Sequence, residues 1–350
     1  MTFEGRAVKF WKRWEKQRLR VLTRLVDDES RPTRNALADV AKNVRLIELN
    51  VKAFGYDLAM RLAQDLPVRT DTVAAHVGLA SKASTQADIE SDWCAHWAAQ
   101  LKTPVIYHRK LWELTYVLQA LHEHGQLAPG TRGLGFGCGR EPVASYLASQ
   151  GVAVTVTDLA EEEARARGWV ASDQHLDTRE TVFFPHLVDR AQFDTLVDHA
   201  VADMNAIPPQ LTGYDFCWST CAMEHLGSLQ HGADFVENAL ATLRPGGLSV
   251  HTMEYNVESD GPTIDNWVTV LFQRKHLEAL AERLRAKGHH VATLDFDVGH
   301  QPMDRFIDVP PWLHDLPPEY RDRLGDPYHL KIGIDGFVST CFGIIVTKAG

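Results

Sequence analysis

Residues 133–142 read Gly-Leu-Gly-Phe-Gly-Cys-Gly-Arg-Glu-Pro, and residues 152–158 read Val-Ala-Val-Thr-Val-Thr-Asp. The first stretch predicts a strand that ends in glycines, where the backbone can approach a ligand that any Cβ would obstruct. The second predicts a strand whose last residue, Asp158, offers a carboxylate to the diol of a ribose. Because the carboxyl ends of parallel strands share one edge of a sheet, the two stretches together predict a nucleoside pocket there.

The bulk composition is that of a globular protein with a sizeable core. The 350 residues give room for about two domains at the usual ~150 residues each. Hydrophobic residues make up 45% and charged residues 23%, and the net charge of −10 argues against general affinity for nucleic acid or anionic membranes. No apolar run approaches the ~20 residues of a membrane span, and no apolar signal segment is evident. A cytoplasmic location is therefore expected.

The cysteines and the basic N-terminus add two local features. An odd number of scattered cysteines suits a reducing compartment, and Cys217 and Cys221 are predicted to be small core residues because no second pair at zinc spacing accompanies them. Residues 1–26 hold eight Lys or Arg against two Glu. They predict a helix with a solvated face or, alternatively, a docking surface for an acidic partner or a subunit.

The first 125 residues are predicted to be helical. Apolar residues at 37, 40, 41, 44 and 47 recur with a helical period, and further helices are predicted at 57–66, 88–100 and 105–124. Aromatic side chains cluster in this part of the chain and predict a packed core or, alternatively, one wall of a substrate cleft: Trp93, Trp97, Tyr107, Trp112 and Tyr116.

After Pro129-Gly130, short apolar runs alternate with helical stretches, which predicts βα units and a parallel sheet. Strands are predicted at 132–136, 152–157, 195–201, 214–219, 247–253, 291–297 and 337–347. Helices are predicted at 141–149, 160–167, 232–243 and 274–287. The Pro- and Asp-rich segment 298–335 is predicted to be a long, ordered excursion between the last two strands.

The glycine stretch resembles motif I of the class I S-adenosylmethionine-dependent methyltransferases, in which an acidic residue precedes Gly-x-Gly-x-Gly. Aligned on Gly137 and Gly139, the sequence departs from the motif at two positions. Gly135 stands where the family has the acid, and Glu141 stands where the third glycine is usual. The resemblance implies that the backbone from Gly135 through Phe136 to Gly139 binds the cofactor, with Glu141 supplying the missing carboxylate.

Four further segments follow in the order of the family. The resemblance implies that Asp158-Leu159 bind the ribose and that Asp203-Met204 bind the adenine. Residues 214–226, Tyr-Asp-Phe-Cys-Trp-Ser-Thr-Cys-Ala-Met-Glu-His-Leu, resemble the fourth-strand segment, in which Ser219 counts among the cofactor-binding residues. Residues 243–250, Leu-Arg-Pro-Gly-Gly-Leu-Ser-Val, resemble the turn before the fifth strand.

The resemblance implies an α/β fold with a Rossmann-like sheet of seven strands, the last of them antiparallel, and S-adenosyl-L-methionine as cofactor. It covers residues 126–350, so the predicted domains are an N-terminal helical domain, 1–125, and a methyltransferase domain, 126–350. A looser similarity, carried by residues 227–232, 263–266 and 302–305, points to methyltransferases of bacterial glycan and small-molecule biosynthesis.

A hydroxyl acceptor needs a general base, for which histidine is the commonest residue. His225 follows the fourth strand and His251 lies in the fifth, so either is a candidate base, with Glu224 or Glu254 to orient it. His251, Glu254 and Asp265 could also form a divalent-metal site, but their spacing is not diagnostic and no metal ion is expected.

The leading prediction is methyl transfer to a hydroxyl of a sugar or a related small molecule. The alternatives are an N- or C-methyltransferase of specialised metabolism and a cofactor-binding partner subunit without catalysis. A small-molecule acceptor is expected, with no nucleic acid and no membrane, and a homodimer is considered.

Overall fold

The structure is a computed structural model that describes residues 34–66, 73–162, 175–176, 178–258 and 261–350. Its contacts define two compact units. The described part of the smaller unit is 34–54 with 309–324, and the larger unit is 55–308 with 325–350. The division into domains 1–125 and 126–350 remains a prediction. The larger unit contains both the sheet and the described part of residues 55–125.

Ten α-helices and eleven strands occur in the described residues. The helices are α1 (Arg34–Gln64), α2 (Gln86–Ile89), α3 (Asp92–Gln100), α4 (Arg109–Glu123), α5 (Val143–Ser149), α6 (Arg190–Leu196), α7 (Leu229–Ala239), α8 (Arg274–Ala286), α9 (Pro302–Arg305) and α10 (Pro318–Leu324). The strands are β1 (Ser81–Ala83), β2 (Arg132–Phe136), β3 (Ala153–Asp158), β4 (Val197–Val201), β5 (Tyr214–Thr220), β6 (Leu243–Asn256), β7 (His290–Val291), β8 (Leu294–Asp295), β9 (Ile307–Asp308), β10 (Lys331–Ile334) and β11 (Phe337–Thr347).

The strands form one mixed sheet in the order β4-β3-β2-β5-β6-β11-β1-β8. The pairs from β4 to β6 are parallel, whereas β11 runs antiparallel to β6, with Ser339 opposite Asn256 and Thr347 opposite Leu248. Strand β2 comes first in the sequence among the parallel strands, but it lies in the middle of them. The chain therefore adds strands first on one side of β2 and then on the other, and this change leaves a crevice at the carboxyl edge of the sheet. The predicted α/β fold with a Rossmann-like sheet is confirmed.

Several predicted elements differ from those observed. The strand predicted at 291–297 is two short strands, β7 and β8. A strand, β1, lies within the region predicted to be wholly helical, because Lys82 pairs with Gly343 of β11 across the sheet. Three residues are too few for a periodic pattern to reveal them. Residues 1–26 and most of the helix predicted at 160–167 lie outside the described residues.

Two layers of side chains pack against the faces of this sheet. On β5, Phe216 and Trp218 lie in the cluster that contains Trp112 of α4, whereas Cys217 lies in the cluster that contains Phe235 of α7. This alternation follows from the two-residue period of a strand. The aromatic residues of 93–116 are all less than 8% exposed, so their interpretation as core is confirmed. Within the described residues, no helix has both the length and the apolarity that crossing a bilayer requires.

Candidate functional site

The glycine loop leaves the sheet at the end of β2. The backbone has positive φ at Gly137 (+57°) and Gly139 (+50°), which glycine adopts without steric cost. A Cβ on Gly137 would lie 2.9 Å from the Cβ of Ala222, so that position also has no room for a side chain. The Phe136 ring packs in the core at 5.2 Å from the Phe235 ring. Only the backbone of Phe136 therefore borders the loop.

Gly135 cannot carry the acid that motif I usually has. A Cβ at this position would lie 2.3 Å from the Cys138 sulfur and 2.5 Å from the Trp218 ring. Glu141, the predicted substitute, accepts hydrogen bonds from Lys110 Nζ at 3.0 Å and from the Thr220 hydroxyl. Burial raises the pKa of Glu141, and the positive charge of Lys110 opposes that rise. Glu141 thus joins the glycine loop to α4 and to the end of β5.

Asp158 lies at the end of β3, beside this loop. Its Oδ1 accepts a hydrogen bond from Leu159 N at 2.8 Å, and its Oδ2 accepts from Leu176 N at 3.2 Å and from Gly139 N at 3.4 Å. Burial raises the pKa of Asp158, and the main-chain donors oppose that rise. These donors fix the orientation of a carboxylate that has about four acceptor sites and so keeps capacity for a diol. Leu176 belongs to no sequence motif and was not anticipated.

Asp203 and Met204 follow β4. Asp203 Oδ1 accepts from Asn205 N at 2.9 Å, and the Met204 sulfur lies 3.5 Å from the place that a Cβ on Gly137 would take. Met204 therefore borders the glycine loop. Ser219 is placed differently, because its buried hydroxyl bonds to His251 Nδ1 at 2.7 Å within the sheet.

His251 is enclosed by the sheet and α7. Its Nε2 bonds to the Ser249 hydroxyl at 2.7 Å, its Nδ1 is bonded by Ser219, and its ring contacts the Phe235 ring at 5.0 Å. Burial lowers the pKa of His251 to about 3. A fully buried imidazole with both nitrogens bonded is unsuited to the base role predicted for it.

His225 ends a short 3₁₀ helix, Met223–His225, that follows β5. Its Nδ1 lies 3.0 Å from the Val268 carbonyl oxygen and 3.2 Å from the Thr269 hydroxyl. Because a carbonyl only accepts, Nδ1 carries the proton and Nε2 carries the lone pair. Burial lowers the pKa of His225, so the ring is neutral near pH 7. The orienting group that the structure shows is the Val268 carbonyl, in place of the predicted Glu224 or Glu254.

The two predicted glutamates lie in a buried polar region with α4. Glu254 forms an ion pair with Arg109 and accepts from the Ser339 hydroxyl at 2.6 Å. Glu224 is fully buried, and neither of its carboxylate oxygens accepts a hydrogen bond from any residue that the structure describes. Burial, together with the charge of Glu254, raises the pKa of Glu224.

Sequence reasoning missed the α4 side of this region. Arg109, Lys110 and Glu113 are charged residues within the first five positions of a helix whose following ten residues are mostly apolar. Three charged residues so close together at one end of a helix indicate a polar site. The prediction for this helix considered only its aromatic residues. The trio weighed as a metal site is not brought together, because Asp265 accepts from Leu229 N at 2.8 Å while His251 is enclosed in the sheet.

A set of parallel strands with a glycine loop after its central strand and a carboxylate at the end of the next is typical of nucleoside-binding α/β proteins. Residues 134–251 match the family model described as a methyltransferase domain. Residues 134–251 thus form a methyltransferase domain, and S-adenosylmethionine is its cofactor.

Solved structures resemble the chain at low identity. Phosphoethanolamine N-methyltransferase 2 of Haemonchus contortus, bound to phosphomonomethylethanolamine and S-adenosylhomocysteine, is 15% identical over 67% of this chain and 52% of its own, with a TM-score of 0.41. The chain thus spans about half of that protein. An S-adenosylmethionine-dependent methyltransferase of Mesorhizobium loti is 14% identical over 65% and 96%, with a TM-score of 0.37. The cyclase SpnF is 17% identical over 68% and 83%, with a TM-score of 0.40. No curated protein sequence matches the chain.

Proposed function

We propose that this protein transfers the methyl group of S-adenosylmethionine to a hydroxyl group of a small-molecule acceptor, a sugar or a related metabolite, with His225 as general base. The observation that carries the proposal is the hydrogen bond from His225 Nδ1 to the Val268 carbonyl at 3.0 Å. It fixes the tautomer in which Nε2 can accept a proton. The lowered pKa of His225 keeps that nitrogen unprotonated at neutral pH.

The cofactor site would use residues from four consecutive strand ends. The backbone of 135–139 would lie under the cofactor, the carboxylate of Asp158 would accept from the ribose hydroxyls, and Leu159 would lie beside it. Asp203 and Met204 would meet the adenine. The absence of room for a Cβ at Gly137 and the main-chain orientation of Asp158 support this assignment. When bound, the cofactor supplies a methyl group already activated by the sulfonium.

The protein then has to align the acceptor and remove its proton. Alignment alone contributes up to about 7–11 kcal/mol in favourable intramolecular reactions. A hydroxyl has a pKa far above 7, so its proton must move to a base as the methyl group is transferred, and a neutral imidazole is suited to receive it. An amine acceptor that is already deprotonated needs no general base. Because the site offers a base, we expect the acceptor to be a hydroxyl group and not a nitrogen or carbon atom.

Replacing His225 by alanine is expected to lower kcat by about 10²–10⁴-fold while cofactor binding is unchanged, because the general base is lost. In the wild type, the rate should fall only as pH drops below 6.5, since the pKa of His225 lies below that ordinary value and protonation removes the base. Methyl transfer from radiolabelled S-adenosylmethionine to a panel of sugars measures both effects.

The matched control is His300→Ala, at an exposed histidine, which should leave kcat and its pH profile as they are. If the protein methylated amines but no hydroxyl compound, the proposed hydroxyl acceptor would be wrong and the activity would be N-methylation. Stoichiometric cofactor binding without turnover on any acceptor would favour the non-catalytic partner subunit.

The proposal includes a homodimer. The first part of α1 exposes a run of large apolar side chains that a second copy could cover, with exposed fractions of 39% to 73% for Val40, Val44, Leu46, Ile47, Val51 and Phe54. Exposed apolar side chains that lie close together in this way are found at protein interfaces. Light scattering of the purified chain should give twice the mass of the 39.2 kDa protomer, and a monomer at micromolar concentration would contradict the proposal.

A further inference from the structure

Two thiols and a carboxylate meet behind the end of β5. The sulfurs of Cys221 and Cys341 are 3.7 Å apart, and these two sulfurs and a carboxylate oxygen of Glu113 all lie within 4.8 Å of one another. Two thiolates on one tetrahedral zinc ion, each ~2.3 Å from the metal, are about 3.8 Å apart. The spacing of the sulfurs is therefore that of two ligands of one zinc ion. We call Glu113, Cys221 and Cys341 the thiol-carboxylate cluster.

The cluster is assembled from three elements that are distant in the chain. Glu113 comes from α4, Cys221 directly follows β5, and Cys341 lies in β11. Cys221 has a φ of +46°, which few non-glycine residues adopt. Its backbone N donates to both the carbonyl and the hydroxyl of Thr252, at 3.1 Å each, and these bonds hold the sulfur toward Cys341.

Unpartnered carboxylate oxygens point to an additional ligand at this place. Glu224 is fully buried, and both of its oxygens lack a hydrogen-bond partner among the described residues. One of them lies within 4.8 Å of the Cys221 sulfur and of a Glu254 oxygen. Glu113 Oε1 is likewise buried without a hydrogen bond, with Lys110 Nζ at 3.5 Å. A buried oxygen without a hydrogen-bond partner destabilises the fold, and a cation beside the Glu224 oxygens would offset that cost.

The ligand types favour zinc over hard cations. Thiols release their protons when they bind a metal, and Arg109 Nη2, 4.0 Å from the Cys221 sulfur, faces the negative charge that this leaves. Thiolate ligands select zinc, whereas magnesium and calcium prefer sites of oxygen alone.

We propose that Glu113, Cys221 and Cys341 bind one Zn²⁺, whose fourth position is open to the acceptor and is bordered by Glu224. Three protein ligands with one open position are the pattern of catalytic zinc sites. This role rests on the proposed function: zinc would bind the acceptor oxygen and lower the pKa of its hydroxyl, so that His225 receives the proton more readily. The sequence predicted Cys221 as a core residue because its partners are not close in the chain.

Cobalt titration of the metal-free, reduced full-length protein tests the site, because thiolate ligands give Co²⁺ a strong near-ultraviolet charge-transfer absorption. We expect this absorption to saturate at one equivalent and to disappear when Zn²⁺ is added. Cys221→Ser and Cys341→Ser should each lose it. Cys217→Ser is the matched control, because that thiol lies on β5, the strand that Cys221 follows, but packs in the core, and it should keep the full absorption.

The outcomes separate this site from the methyl-transfer proposal. S-adenosylhomocysteine binding by Cys221→Ser reports that the variant is folded, and it needs no acceptor. If Cys341→Ser does not fold, Glu113→Gln should weaken Co²⁺ binding by about tenfold or more. No thiolate absorption in the wild type, or full absorption in Cys221→Ser, would overturn the zinc site and leave the methyltransferase proposal intact. A Cys221–Cys341 disulfide in place of metal binding would also overturn it.

Discussion

Asp158→Ala is expected to weaken S-adenosylhomocysteine binding by about 10²–10⁴-fold. The carboxylate would accept two hydrogen bonds from the ribose diol, and hydrogen bonds to a charged group contribute about 1.5–3 kcal/mol each. A factor of ten in the dissociation constant corresponds to about 1.4 kcal/mol. Isothermal titration calorimetry of the wild type and the variant measures the difference directly.

Two controls make this result specific. Asp198→Ala removes an exposed carboxylate from the neighbouring strand β4 and should leave binding unchanged. Far-ultraviolet circular dichroism checks the fold of Asp158→Ala, because that carboxylate also accepts from Leu159 and Leu176. If the variant binds as the wild type does, the ribose is not at Asp158. Binding of NAD by the wild type, with no binding of S-adenosylhomocysteine, would contradict the cofactor assignment.

Arg109→Met is expected to lower the free energy of unfolding by about 3–5 kcal/mol, because it leaves the Glu254 carboxylate buried without its counter-charge. The side chains of this ion pair are only 14% and 5% exposed, so solvent screens it little. Among the described residues, Ser339 alone would then hydrogen-bond to the Glu254 carboxylate. Urea denaturation, with S-adenosylhomocysteine binding to report the native state, measures the loss.

The comparison for Arg109→Met is Arg61→Met, which breaks an ion pair with Asp57 on the surface of α1. Those side chains are 74% and 50% exposed, and such pairs contribute at most about 1 kcal/mol. The double variant Arg109→Met with Glu254→Gln should recover part of the loss, because it removes the charge that the single variant leaves unpaired. Equal effects of Arg109→Met and Arg61→Met would show that the buried pair does not stabilise the fold.

Much of the fold was predictable because its signals are local. Strands β2 and β11 were predicted with the observed bounds, since glycines and turn residues terminate apolar runs of strand length. Helix α8 was predicted to within one residue from its amphipathic period. Strand β1 was not, because its pairing with β11 joins residues far apart in the chain. The departure of Gly135 from the family motif was visible in the sequence, but its cause, the Trp218 ring, was not.

The sequence alone determined the α/β sheet, the glycine loop and the acid after each of the next two strands, because these features depend on backbone conformation and on short-range order. Only the tertiary structure decided which polar side chains meet. It placed His251 between two serines inside the sheet, fixed the tautomer of His225 through the Val268 carbonyl, and brought Arg109 to Glu254 and Cys221 to Cys341. Such contacts depend on the packing of α4, β6 and β11 around the end of β5, and no local pattern of residues encodes that packing.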